Sequence, residues 1–379
     1  MITERFAAVR STAGRSWPAL LLLPALAAFA AACAPSKFDA VAWDPPAWRG
    51  FDGPFAAVTD LSPLQLIPTL DGHGPETVIA GPDGWMFTGL KDGRILRFRP
   101  DGSAVEVFAD TKGRANGLAF AKDGRLIAAD SYRGLIAIDP SGAVEVLATE
   151  AGGVPFTFPD GLDIAADGTI WFTDATTRFP DGLFHYDILE SRPTGRLLSY
   201  DPVSRSARVR ASGLRFPNGI ALGPRDEYVL INETLGYRTL RHWIAGPSAG
   251  ATETFVEGYP GLPDDIRFDG DGLFWVALVG ERIPIVDWIQ PHPWLKTIVA
   301  HAIGWAVPDT DHPILLDPAI AVAVDTEGNV VQTWRDESGQ FLGSTSVLEH
   351  EGRLFIGSIG MGGVGVSDLP EEGPAGSRH

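Results

Sequence analysis

Short apolar runs separated by Asp-Gly or Ser-Gly pairs recur along most of the chain. Early examples are WMFTGL from Trp85, GRILRFR from Gly93 and AVEVFAD from Ala104, and similar runs continue almost to the C-terminal end. Short runs that alternate or are wholly apolar are typical of β-strands, and the Asp-Gly pairs between them are typical of hairpin turns. The pattern therefore predicts a chain of short antiparallel strands.

One longer phrase repeats: Pro, then Asp or Asn, then Gly or Asp, then an apolar strand, then Asp-Gly. Its clearest copies begin at Phe158, Phe216 and Leu262, and looser copies begin at Gly74 and Arg114. A polar phase marker stands at the same place in each copy: Glu76, Asn116, Asp160, Asn218 and Asp264. Successive markers are 40, 44, 58 and 46 residues apart. A period in the forties built of short strands predicts a β-propeller with one four-stranded blade per repeat.

The repeats account for six blades, so the predicted fold is an all-β, six-bladed β-propeller. Blade six, assembled from TSVLEHEG, RLFIGSIG and GVGVSDL, lacks an outer strand. The segment Phe55–Ile67 has no blade of its own, and we expect it to supply that strand and close the ring. Blades three and five carry inserts, RFPDGLFHYDILESRPT and the stretch from Glu281 to about Pro318, which break the strand pattern and are predicted to be partly helical.

The N-terminal region is predicted to lie outside the propeller. Three arginines precede an apolar run from Trp17 to Ala32, as in an export signal. Cys33, the single cysteine, follows that run and resembles the lipidated cysteine of a bacterial lipoprotein. We therefore expect an exported protein, periplasmic or attached to the outer membrane through this lipid anchor alone. Cleavage at an A-x-A site with secretion, or an uncleaved N-terminal anchor, are the alternatives.

Composition sets further limits on partners and domains. The net charge of −18 would repel phosphate backbones, so nucleic acid is an unfavourable partner. With one cysteine, disulfides do not hold the folded part together. The expected division is an export signal over 1–33, a surface tether over 34–54, the propeller over 55–370 and a disordered tail over 371–379.

The phase markers predict a metal site. The first strand of a blade is the innermost one, so polar residues that open it in every blade converge on the axis. Carboxylate and amide oxygens suit a hard cation such as Ca²⁺, whereas the lack of cysteines and of clustered histidines disfavours zinc. The alternative is that Asp160, Asn218 and Asp264 are ordinary turn residues in Pro-Asp-Gly and Pro-Asn-Gly sequences.

Several motifs also resemble a known family. WFTDATTRF from Trp171, DILESRPTGRLLSYDP from Asp187, RFPNGIAL from Arg215 and GLPDDIRFDGDGLFWVAL from Gly261 resemble the strictosidine synthase-like proteins, including the adipocyte plasma membrane-associated type. More distantly the chain is similar to gluconolactonase, paraoxonase and fluorophosphatase propellers. The resemblance implies a catalytic Ca²⁺ held by Glu76, Asp160, Asn218 and Asp264, with Asp265 adjacent.

The resemblance further implies a hydrolase of lactones or aryl esters, small molecules whose carbonyl the metal would polarise. Asp264 matches the proposed nucleophile of the fluorophosphatase. A purely structural ligand at that position, and a non-catalytic binding or scaffold protein, are the alternatives. Strictosidine-forming enzymes use a glutamate where this chain has Thr345, and Glu349 is four residues further on, which argues against a synthase.

Other residues are weaker candidates. Asn116 is expected to orient substrate or water, or to support the ligands from outside. Four histidines could assist catalysis as a pair does in paraoxonases, with His73 the best placed of them: His73, His185, His292 and His301. The inserts carrying Tyr186 and Trp288–Trp305 are expected to rim the opening as an apolar lid, or to rest on a membrane or a partner.

Overall fold

The protein is described by a computed structural model covering residues 38–56, 58–61, 63–306 and 316–369, with backbone alone for 304–306. Six sheets of four or five strands, antiparallel except for one edge pairing, follow one another as blades, and neighbouring inner strands contact each other around the ring. The predicted six-bladed propeller is therefore confirmed. Cys33 and the tail from residue 370 lie outside the described residues.

The strands follow the chain order expected of a propeller. Two precede the first blade: β1 (Val58–Asp60) and β2 (Gln65–Pro68). Blade one contains β3 (Val78–Ala80), β4 (Met86–Gly89), β5 (Arg94–Phe98) and β6 (Val105–Asp110). Blade two contains β7 (Ala115–Phe120), β8 (Leu126–Asp130), β9 (Gly134–Ile138) and β10 (Val144–Ala148). A two-stranded hairpin then precedes blade three: β11 (Glu150–Ala151) and β12 (Val154–Pro155).

The remaining four blades have the same plan. Blade three contains β13 (Pro159–Ile164), β14 (Ile170–Asp174), β15 (Gly195–Asp201) and β16 (Ser206–Leu214). Blade four contains β17 (Pro217–Leu222), β18 (Tyr228–Glu233), β19 (Arg238–Trp243) and β20 (Thr252–Glu257). Blade five contains β21 (Gly261–Phe268), β22 (Leu273–Glu281), β23 (Ile320–Asp325) and β24 (Val330–Arg335). Blade six contains β25 (Ser344–His350), β26 (Arg353–Ser358) and β27 (Gly363–Asp368).

The segment ahead of blade one closes the ring, as predicted. β2 pairs antiparallel with β27 and becomes the outer strand of blade six. Its Ile67 packs among buried side chains of blades six and one, including Val78 and Phe355. The same segment also supplies β1, which pairs parallel with β24 as a fifth strand of blade five, a pairing that the repeat pattern had not indicated.

The two inserts are helical, again as predicted. The blade-three insert contains α1 (Phe184–Glu190), and the blade-five insert contains α2 (Pro284–Ile289) and α3 (Pro293–Ala306). α1 and α3 pack together around buried Tyr186, Leu189 and Ala300. We call α1, α2 and α3 the helical cap. In the described part of the chain, no helix is long and apolar enough to cross a bilayer.

The repeated phrase contains two glycine positions that have different structural roles. The later glycines, Gly84, Gly124, Gly168 and Gly272, have positive φ and lie in the hairpin turns. The earlier glycines lie in inner strands, where a side chain would strike the next blade. A Cβ on Gly161 would stand 2.5 Å from the Cα of Gly219, and one on Gly219 would stand 2.3 Å from the Cα of Asp265. Glycine at the earlier position therefore allows neighbouring inner strands to approach closely.

Candidate functional site

The five phase markers all lie where the inner strands begin. Asn116, Asp160, Asn218 and Asp264 are the second to fourth residues of their strands, and Glu76 stands two residues ahead of β3. All five are buried, with exposed fractions of 2–8%. The interpretation of Asp160, Asn218 and Asp264 as turn residues is therefore wrong, because each lies within a strand.

A register irregularity accompanies the marker in each of blades two to six. The pairing of inner strand with second strand shifts across Asn116, Asp160, Asn218 and Asp264, and across Thr345 in blade six. A β-bulge redirects side chains locally and is common beside functional sites. The bulges therefore coincide with the polar residue that opens each of these inner strands.

Three of the markers have unused hydrogen-bonding capacity. Within the described residues, the side chains of Asp160, Asn218 and Asp264 form no hydrogen bond, although each is buried. Asn116 donates from Nδ2 to Ser131 Oγ at 2.7 Å, but its Oδ1 is buried without a donor among those residues. Buried polar atoms are nearly always hydrogen-bonded, and Asn116 Oδ1 is the marker atom that departs from this rule among the described residues. Together with three marker side chains that form no hydrogen bond on the following inner strands, it indicates a place suited to a ligand.

The charges at this place are poorly balanced. Burial raises the pKa of Asp160 well above its usual range, and the negative charge of Glu76 raises it further. Burial also raises the pKa of Asp264 strongly, with Glu76, Asp160 and Asp265 adding to the effect. In both cases Arg114 acts in the opposite direction without cancelling the rise. The site therefore favours a bound cation.

Arg114 and Asp181 belong to the site although the sequence analysis missed both. Arg114 donates from Nη2 to Glu76 Oε2 at 2.9 Å and from Nη1 to Asp181 Oδ2 at 2.8 Å. Asp181 stands just ahead of α1, so this pair ties the helical cap to the axis. The position of Arg114, two residues before the Asn116 marker, was a signal in the sequence that could have placed it at the site. No feature of the blade-three insert distinguished Asp181 from its other polar residues.

Asp265 and Thr345 face other partners. Asp265 accepts a hydrogen bond from Thr77 Oγ1 at 3.0 Å across the axis, through the oxygen that does not accept its neighbour's backbone N–H. Thr345 is fully buried and donates to the backbone oxygen of Glu76 at 2.9 Å. Both residues thus hold strand ends together at the axis.

The blade-six carboxylate lies far along its strand from the markers. Asp269 and Asp271, in the turn at the opposite end of β21 from Asp264, raise the pKa of Glu349, after the larger effect of burial. Glu349 therefore stands near that turn and does not replace a glutamate at Thr345.

The four candidate histidines are spread over the surface and the cap. His73 is exposed. His185 lies in α1 with its ring 4.3 Å from that of Tyr186. The Nδ1 atoms of His292 and His301 face backbone oxygens one helical turn earlier, at 3.2 and 2.6 Å. No hydrogen bond joins any of these four rings to a marker within the described residues.

The oxygen atoms of the markers suit a hard cation, but the carboxylates are not grouped around a single point. Among the described residues, no three His, Cys, Asp or Glu side chains are grouped as ligands of one ion. Glu76 instead forms an ion pair with Arg114, so the guanidinium compensates part of the negative charge at the site. The oxygen-only chemistry and the unpaired Asn116 Oδ1 nevertheless fit Ca²⁺ better than a softer metal.

A separate cavity of about 780 Å³ lies between blades three and four. Trp171, Arg210, His242 and Asp226 are among the residues that line it, and none of the five markers does. Its lining comes mainly from outer strands and turns, so it is distinct from the axial site.

Comparison with known proteins gives concordant results. The strictosidine synthase family model matches residues 160–247, and the model of the N-terminal part of strictosidine synthase-like proteins matches 53–98. Strictosidine synthase-like protein 6 of Arabidopsis thaliana is 35% identical over 293 residues, 76% of each chain. The adipocyte plasma membrane-associated protein of Gallus gallus is 31% identical over 308 residues, covering 76% of this chain and 73% of its own.

Solved structures agree on the fold. A gluconolactonase from Xanthomonas campestris superposes with a TM-score of 0.59 at 20% identity, covering 89% of this chain and 99% of its own. Regucalcin from Agrobacterium tumefaciens, described as a calcium-binding protein, gives a TM-score of 0.57 at 15% identity, covering 82% of this chain and 95% of its own. At these identities the likeness establishes the propeller architecture.

Proposed function

Because the chain belongs to the strictosidine synthase-like family and folds as a gluconolactonase-type propeller, we propose that it is a calcium-dependent hydrolase of lactones or aryl esters. The observation that carries the proposal is the set of buried side chains without hydrogen bonds, Asp160, Asn218 and Asp264, at the start of three adjacent inner strands. The gluconolactonase and regucalcin structures support it at the level of fold, which does not by itself fix chemistry.

In this proposal Glu76, Asp160, Asn218 and Asp264 hold the ion through oxygen atoms. A bound Ca²⁺ would supply Lewis-acid polarisation of a substrate carbonyl. Asp264 is the proposed base or nucleophile. Burial and the neighbouring carboxylates raise its pKa, and a bound cation would oppose that rise and favour the carboxylate form that can accept a proton. The same burial keeps the reacting groups away from bulk water.

Two further residues would position these groups. Arg114 holds the Glu76 carboxylate in one orientation and, through Asp181, keeps the start of α1 over the same end of the propeller. Asn116, with its Oδ1 unpaired, can accept a hydrogen bond from substrate or water. Neither side chain needs to react for these roles.

The decisive experiment measures lactone and aryl-ester turnover with and without EDTA. We expect chelation to abolish turnover and calcium to restore it. Asp264→Asn should lower kcat by at least about 100-fold, the usual contribution of a base, and should weaken the calcium-induced rise in Tm. Asp83→Asn is the matched control, because Asp83 is a turn residue with φ 58 that asparagine accommodates. Equal rates with and without EDTA would refute the metal mechanism.

A binding or scaffold protein with a structural calcium is the second candidate. The Arg114–Glu76 pair favours it, because an arginine that already compensates one carboxylate leaves fewer free ligands for a catalytic ion. This candidate predicts a calcium-dependent rise in Tm together with no turnover over a broad panel of esters and lactones. A carbon–nitrogen bond-forming synthase is disfavoured by Thr345 and by the distant place of Glu349.

We also propose export and lipidation at Cys33. The supporting observation is the order of arginines, apolar run and cysteine in the sequence. Metabolic labelling with a fatty-acid analogue should mark the wild-type chain and not Cys33→Ser. Labelling of both would contradict lipidation at this residue.

A further inference from the structure

The outer surface of the helical cap has an inverted distribution of polar and apolar residues. Within Pro284–Ile303, every exposed residue is apolar: Pro284, Ile285, Trp288, Trp294, Ile298 and Ala302. We call this set the cap face. Its four large side chains are 51–65% exposed, which is unusual for two tryptophans and two isoleucines on neighbouring helices.

The charged residues of the same stretch point inward. Asp287 accepts hydrogen bonds from Tyr237 at 2.8 Å and from Arg282 at 2.8 Å. Lys296 is fully buried and donates to the backbone oxygen of Val41 and to Gln290 Oε1. A helix packed on a soluble protein normally buries its apolar stripe and exposes its charges. Here the outer side of the helices is apolar, and the inner side also contributes apolar side chains, since Ile289 and Ala300 pack with Tyr186 and Leu189 of α1.

The N-terminal segment reaches the propeller on this cap. Phe38 packs against Tyr186 of α1, and Val41 N donates to Glu190 O at 3.0 Å. Trp43 N donates to Gln290 O, between α2 and α3. Cys33 and the apolar run of Trp17–Ala32 come directly before this segment. Phe38, the first described residue, thus lies on the helical cap.

We propose that the cap face docks on the surface of a phospholipid bilayer, with the axial site turned toward that membrane. Tryptophan suits the interfacial region because its ring is apolar and its N–H can remain hydrated. A face without charged side chains enters a neutral lipid interface with no ion to desolvate. The N-terminal attachment, a lipid on Cys33 or the uncleaved run, and the cap face would then both bind the membrane, and two weak attachments act as one strong one.

A dye placed on the cap can test this in the full chain. Cys33 is the single cysteine, so Cys33→Ser gives a background in which Ile298→Cys is labelled alone with a nitrobenzoxadiazole dye. Val203→Cys is the matched control. Val203 is 93% exposed in the turn after β15, at the opposite end of that strand from α1.

With phosphatidylcholine vesicles containing a doxyl-lipid quencher, we expect a blue shift and quenching at position 298 and neither at 203. The change at 298 should be lost when Trp288→Ser and Trp294→Ser are added. It should persist with Val107→Ser, which removes an apolar side chain, 47% exposed, from the outer strand β6 of blade one.

Three outcomes would overturn the proposal. If the protein sediments with vesicles while the dye at 298 stays in water, the N-terminal run alone binds the membrane. If the dye at 298 is blue-shifted without vesicles in proportion to protein concentration, a second copy covers the cap face. If it is blue-shifted without vesicles at every concentration, the chain's own N-terminal run covers it.

Discussion

The guanidinium of Arg114 donates to the Glu76 carboxylate over 2.9 Å, at the point where three further acidic side chains act on one another. This arginine is the built-in counterion of the axial site, and a divalent cation would compete with it for Glu76. The competition makes its substitution informative about both stability and metal binding.

Arg114→Met should destabilise the calcium-free protein by about 3–5 kcal/mol, because it leaves Glu76 and Asp181 buried without their partner. Saturating calcium should raise the Tm of this variant more than that of the wild type. Chemical denaturation and calorimetry give both quantities. Arg97→Met is the control, since its pair with Glu106 is largely exposed and should contribute less than about 1 kcal/mol. A smaller calcium effect in Arg114→Met would show that the arginine does not compete with the ion.

The buried carboxyl of Asp187, in α1, should make stability depend on pH. Burial raises its pKa to about 7, partly opposed by the hydrogen bond from Thr176 Oγ1. The folded protein thus holds a proton that the unfolded chain loses near pH 4, so this group's contribution is full at low pH. Stability should fall as pH rises from about 4 to about 7.

Asp187→Asn should remove that fall while keeping an acceptor for Thr176. We expect the variant to unfold at a higher Tm than the wild type at pH 8, and the difference to shrink at pH 5. A gain on the order of a few kcal/mol is the upper bound from the shift. Equal differences at both pH values would indicate a packing effect unrelated to titration.

The two kinds of glycine should respond differently to alanine. Gly161→Ala places a Cβ 2.5 Å from the Cα of Gly219 and 2.7 Å from the Asn218 backbone oxygen. Because backbone atoms cannot yield cheaply, we expect a loss above about 3 kcal/mol, together with weaker calcium binding. Gly124→Ala meets no atom within 4 Å and should cost about 1–2 kcal/mol through its positive φ alone. Urea denaturation of both variants decides whether the inner-strand glycine serves close packing.

Closure of the ring should depend on one face of β2. Ile67 is 8% exposed and packs between blades six and one, whereas its neighbour Leu66 is 46% exposed. Ile67→Ala should lower the free energy of unfolding by about 2–4 kcal/mol. Leu66→Ala should change it by less than about 0.5 kcal/mol. Similar losses in the two variants would mean that β2 is held by its backbone pairing and not by this contact.

Much of the fold could be predicted from the sequence, because each propeller blade is formed by residues that are close together along the chain. Each blade is a run of neighbouring strands joined by short turns, so the Asp-Gly pairs and the spacing of the markers sufficed to count six blades. The missing outer strand of blade six also had a predictable donor, since a closed ring leaves no unpaired edge. The pairing of β1 with blade five was not predictable, because a three-residue strand on an outer edge leaves no periodic signal.

The candidate site divides in the same way. The five phase markers could be identified from the sequence, because equivalent positions in successive repeats lie at the same distance from the propeller axis. They are Glu76, Asn116, Asp160, Asn218 and Asp264. Arg114 and Asp181 could not be paired from sequence, since Asp181 belongs to an irregular insert whose path depends on how α1 packs. The inward orientation of Asp287 and Lys296 could not be predicted either. A helical pattern shows which residues share a face of the helix, and it does not show which face packs against the rest of the protein.

The sequence by itself thus determined the architecture and the polar residues that open each inner strand. Tertiary structure decided which of those residues stay without hydrogen bonds, which carboxylate an arginine already engages, and which apolar side chains remain outside. The physical reason is that hydrophobic periodicity and turn chemistry act between near neighbours along the chain. Charge balance, desolvation and hydrogen-bond satisfaction depend instead on groups that meet only when the ring has closed.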